Sequence, residues 1–120
     1  MPAVEEEDAT ERLKSNSGSS PLGMVQRYII LFRFTDQGIR SVKDTTRRVD
    51  AARSEAEKIG CKFTVYWTFG EYDTIGILEA PSDEAAMEFN LKLGSLGNVR
   101  TTTLRAFTEE EITKVINKLG

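Results

Sequence analysis

Residues 61–80 read CKFTVYWTFGEYDTIGILEA, and this stretch decides the fold. Cys61, Phe63, Val65, Trp67 and Phe69 alternate with Lys62, Thr64, Tyr66 and Thr68. Successive side chains of a strand point to opposite faces, so the alternation predicts a half-buried strand with Trp67 in the core. Gly70-Glu71-Tyr72 makes a turn, and residues 73–80 read as another strand ended by Pro81.

Upstream, residues 27–34 (RYIILFRF) are rich in β-branched and aromatic types and predict a strand, broken at Asp36-Gln37-Gly38. A helix follows from about Ser41 to Ile59. Ser41 and Asp44 resemble a capping box, Val42, Val49, Ala52, Ala56 and Ile59 share one face, and Gly60 stands where a C-terminal cap belongs. Downstream, Ser82 caps a helix over 83–93 with Ala86, Phe89 and Leu93 on one face, closed by Gly94 and Gly97. Residues 98–107 form a fourth strand. Thr108 with Glu111 is a capping box for a last helix whose apolar face is Ile112, Val115, Ile116 and Leu119. The order β-α-β-β-α-β-α predicts an α+β, ferredoxin-like fold: a four-stranded antiparallel sheet with both main helices on one face and right-handed crossovers.

The 120 residues allow one domain. Residues 1–23, with an acidic run at Glu5–Asp8 and a Ser/Gly stretch, are expected to form a disordered tail, leaving 24–120 as the domain. The net charge of −3 argues against a nucleic-acid partner. There is no histidine and Cys61 is the single cysteine, so no metal or cofactor is expected and no histidine-based triad can form within the chain. With no histidine to activate it, Cys61 reads as a small buried hydrophobe. The longest apolar run, Tyr28 to Phe32, is far below spanning length, and the acidic N-terminus has no signal core; the expectation is a cytoplasmic protein without a membrane partner. Arg47 and Arg48 interleave with acids and read as a solvated helix face.

Parity sorts the strands into faces. Ile30, Phe32, Phe34, Gly76, Leu78, Leu104 and Ala106 are expected under the helices. The other face then combines Ile29, Leu31, Ile75 and Ile77 with Arg33, Asp73, Glu79, Thr101, Thr103 and Arg105. Each such aliphatic side chain is worth about 1.5–3 kcal/mol when buried, so the bare face predicts a homodimer packed sheet on sheet, with the polar members lining its interior.

Phe34-Thr35-Asp36-Gln37-Gly38-Ile39, Arg47-Arg48, Gly70-Glu71-Tyr72-Asp73, Glu79-Ala80-Pro81 and residues 97–107 together resemble, in this order, the GYD domain family, over about residues 27–109. The resemblance implies a domain of the dimeric α+β barrel group and carries no established reaction. Related barrels include monooxygenases, isomerases, cyclases and haem enzymes, whose frequent histidine this chain lacks.

Asp73, Tyr72 and Glu79 are the candidate catalytic residues, with Asp73 as a general base if desolvated. Arg33, Tyr66, Thr101, Thr103 and Arg105 are the candidate ligand-binding residues, with Arg33 expected beside Glu79. The expected function is a homo-oligomeric domain for small-ligand binding or assembly. The alternative is a cofactor-independent enzyme for a small aromatic or carbonyl substrate, and a third reading is a purely structural module.

Overall fold

The structure is a computed structural model that describes residues 25–120; the expected tail over 1–23 lies outside the described residues. Its elements are β1 (Gln26–Phe34), α1 (Asp36–Arg40), a 3-10 turn (Val42–Asp44), α2 (Thr45–Lys58), β2 (Lys62–Trp67), β3 (Thr74–Ala80), α3 (Asp83–Ser95), β4 (Val99–Ala106) and α4 (Glu109–Asn117). The strands form one antiparallel sheet in the order β2-β3-β1-β4. This order is compatible with a ferredoxin-like arrangement, with the first strand in the interior.

α2 and α3 cover one face. Ala52 and Ala56 of α2 and Ala86 and Phe89 of α3 close on Tyr28, Ile30, Phe32, Phe63 and Leu78. Ile30 and Leu78 lose all solvent contact. Phe63 meets Phe89 edge to face at 4.8 Å and Phe32 at 6.1 Å, a geometry in which one ring's positive edge faces another's negative face. Gly76, between Ile30 and Val65 in the sheet, makes room for these rings: a Cβ there would come within 2.6 Å of Phe63.

Several expectations are corrected. The break at Asp36-Gln37-Gly38 is a helical turn, α1, because the Thr35 hydroxyl accepts from the Gly38 N–H as an N-cap. Ser41 and Asp44 form no capping box: Asp44 pairs with Arg47, while the Ser41 hydroxyl donates to the Gln37 carbonyl. Trp67 and Phe69 are not core. Trp67 ends edge strand β2 at 47% exposure, its indole N–H on Thr45 Oγ1 at 3.1 Å, and Phe69 lies fully exposed in the loop beyond.

The fourth strand is turned over relative to its expected faces. Tyr28 stands opposite Arg105, Ile30 opposite Thr103 and Phe32 opposite Thr101, so these three polar residues share the helix-covered face. Leu104 stands opposite Ile29 on the bare face. The β1 register overrides the hydrophobic pattern because β4 is an edge strand near the limit of helix cover. There Thr103 accepts from Asn90 of α3 at 2.9 Å, and the Arg105 guanidinium lies 5.5 Å over the Tyr28 ring and 4.6 Å over the Phe107 ring.

Candidate interaction surface

Register fixes the bare face as rows running β2-β3-β1-β4. The two middle rows are Thr64-Ile77-Ile29-Leu104 and Tyr66-Ile75-Leu31-Thr102. They make an apolar band edged by hydroxyls. One flanking row is Lys62-Glu79-Arg27-Ala106, and on the other side Arg33 stands opposite Arg100. Charged rows thus fence the band at both ends. Ile77 and Leu104 keep 37% and 47% of their surface in solvent.

Glu79 is buried at 5% exposure on this face. Register sets it between Lys62 and Arg27, and Arg27 Nε lies 4.0 Å from Glu79 Oε2. The expected neighbour Arg33 is instead at the far end of the sheet, paired with Glu71 and 4.7 Å over the Tyr72 ring. The Tyr72 and Glu71 side chains raise the Arg33 pKa further, fixing its charge. Glu79 Oε1 has no hydrogen-bond donor among the described residues, an expensive state for a buried carboxylate oxygen.

The expected ligand-binding residues therefore do not converge. Arg33 and Tyr66 lie on the bare face, and Thr101, Thr103 and Arg105 on the other. Nor do the candidate catalytic residues form one constellation: Asp73 precedes β3 and Glu79 lies near its far end, roughly 20 Å away at about 3.3 Å per residue. Asp73 accepts from the Phe34 N–H at 2.7 Å, its own N–H donates to the Phe32 carbonyl, and its carbonyl accepts from Thr68. It fastens the β2–β3 loop to the end of β1. Gly70, at φ 101°, supplies the left-handed residue the loop requires.

Two of the sequence segments singled out above, 34–39 and 97–107, meet at this end. Thr35 N–H donates to the Asn98 carbonyl and Thr35 Oγ1 to the Gly97 carbonyl, while Gln37 reaches Leu96 and Asn98. Gly38 packs so closely on Asn98 that a Cβ would collide with its carbonyl oxygen. Beside this junction a cleft of about 70 Å³ opens between helices and sheet, lined by Phe34, Arg48, Val49, Val65, Leu96 and Asn98 among others. Sequence reading missed this cleft, since it is bounded by residues from six separate segments. Arg48 is held at its rim by Ser41 and the Gly38 carbonyl.

Cys61 is buried beneath the helices, and burial pushes its thiol up to about 11, away from nucleophilic use near neutrality. The arginines of α2 pair locally, Arg47 with Asp44 and Arg53 with Asp50. No helix among the described residues is long and apolar enough to cross a membrane.

α4 is the remaining exposed apolar element. Its N-terminus is held by a complete capping box, Thr108 accepting from the Glu111 N–H and Glu111 from the Thr108 N–H. Yet Ile112, Val115, Ile116 and Leu119 remain 40%, 45%, 55% and 79% exposed. The missed signal was this unburied face: periodicity reports amphipathicity and not what covers it.

No solved structure matches the chain. It is 30% identical over 81 residues, 66% of this chain and 85% of the relative, to a Thermus thermophilus protein named glutamine synthetase and cystathionine beta-lyase binding protein. The family profile of the GYD domain matches residues 28–116, a span that takes in both the junction at Thr35, Asp73 and Asn98 and the banded sheet, and the chain belongs to the GYD domain family.

Proposed function

We propose that this protein is a homo-oligomeric assembly module of the cytoplasm that works by binding other proteins, its core a homodimer closed sheet on sheet as a dimeric α+β barrel. The apolar band of Ile29, Leu31, Ile75, Ile77 and Leu104 carries this reading. Its partial exposure leaves hydrophobic free energy to be gained, at about 25 cal/mol per Å² removed from water. The name of the Thermus thermophilus relative, a binding protein for two enzymes, supports protein partners.

The test has two arms. Light scattering at micromolar concentration should give at least a dimer, and Ile75→Lys should dissociate it by placing an unpaired charge at the contact. A monomeric parent protein would overturn the dimer. Purified glutamine synthetase and cystathionine beta-lyase from the same source should each be titrated with the protein in a calorimeter. Saturable binding of either supports the partner assignment, and no heat at tens of micromolar overturns it.

The cleft beside the Thr35–Asn98 junction favours a second reading, a small-molecule ligand. At about 10–15 Å³ per water it holds several waters or a short aliphatic group.

A further inference from the structure

We propose that α4 is an exchanged clasp: in the homodimer, the α4 of one copy lies on the β4 rim of the other copy's bare sheet face, around the partner's Leu104. The inference rests on the dimer proposed above and adds which segment each copy gives the other.

Four observations carry it. α4 has nine residues, and isolated helices shorter than about 12–15 residues are marginal in water, so its stability requires burial of its apolar face. That face, Ile112, Val115, Ile116 and Leu119, has no buried member. The helix has little freedom to fold back on its own sheet. Only Phe107 and Thr108 separate it from β4, and Thr108 is fixed by its reciprocal bonds with Glu111.

Charge then selects the occupant. The first turn of α4 carries Glu109, Glu110 and Glu111. The bare face is fenced by Arg27, Lys62, Arg33 and Arg100; Arg27 faces Glu79 and Arg33 pairs with Glu71, which leaves Lys62 and Arg100 without a carboxylate partner among the described residues. An acidic, apolar helix and a basic-fenced, apolar band are complementary, and a two-fold axis satisfies both copies at once.

Cross-linking between differently marked copies tests the clasp. One preparation carries Leu104→Cys and the other Ile116→Cys; both positions are exposed, and Cys61 is buried and stays out of the exchange. After mixing and mild oxidation, the proposal expects a mixed Leu104→Cys/Ile116→Cys disulfide dimer in excess of either like pair. A like-with-like Ile77→Cys dimer without the mixed product keeps the sheet dimer and overturns the clasp. A protein monomeric by light scattering overturns both. In the full chain, Ile116→Asp should leave the circular dichroism of the sheet intact and raise the dimer dissociation constant about tenfold or more; an unchanged constant overturns the clasp.

Discussion

The two faces of the one sheet differ less in composition than in cover. Ile30, Phe32 and Leu78 under the helices have counterparts in Ile29, Leu31 and Ile77 on the bare side, residue for residue along the same strands. The first set is buried against alanines and Phe89, and the second is only partly shielded. Similar side chains thus serve two ends, one committed to holding the monomer together and the other held for association.

Breaking the covered face should have the largest effect. Phe89→Ala removes the ring that closes on Phe63 and is expected to cost about 3–5 kcal/mol in denaturant unfolding, with Ile77→Ala costing far less in a dissociated monomer. If both cost the same under monomeric conditions, the contrast between faces fails. Next comes the loop fastening. Asp73→Ala leaves the Phe34 N–H without its charged acceptor and should cost about 1.5–3 kcal/mol, read as a shift in the denaturation midpoint.

A pH series sharpens the contrast, since Cys61 and Tyr28 both belong to the covered core. Burial raises the Cys61 thiol from 9.0 to about 11, with Glu88 adding to it. Burial first, then the hydrogen bond to Asp83, raises the Tyr28 hydroxyl from 10.0 to about 12. Both pKa values are higher folded than unfolded, so their contribution is complete below pH 9 and is lost as pH rises through about 11 and 12. Thermal melts should fall across that window, and Cys61→Ala should flatten its lower part. The smallest effect is expected on the solvated side of α2. Arg53→Ala removes an exposed pair with Asp50 and should leave the melting temperature unchanged within error.

Much of this architecture was legible in the sequence. The strict alternation through Phe63 and Val65, the cap at Ser82 and the Thr108–Glu111 box correspond to β2, α3 and α4 as found. What parity could not supply was the face of β4. Hydrophobicity favoured Leu104 for the core, but the register with β1 puts the exposed Arg105 on the helix-covered face, where its guanidinium lies over the Tyr28 ring at the edge of the core. Trp67 and Phe69 failed for a related reason: alternation persists past the point where the helices stop covering β2. The surface was legible only in part. Ile29, Leu31, Ile75 and Ile77 were placed together from the strand pattern, whereas the pairing of Glu79 with Arg27 depends on a cross-strand register that sequence spacing does not fix.

The position of β1 between β3 and β4 has a consequence in time. Of the four described strands it is translated first, yet Ile29 finds one neighbour in Ile77 and the other in Leu104, on the strand translated last. Local contacts of α1 and α2 can form while the chain is still emerging, but β1 keeps an open edge until β4 has left the ribosome. Such late, distant pairing slows folding and leaves a sticky strand exposed during synthesis. A nascent chain stalled before residue 99 would therefore be expected to bind a holdase chaperone, and one released after residue 107 to let it go.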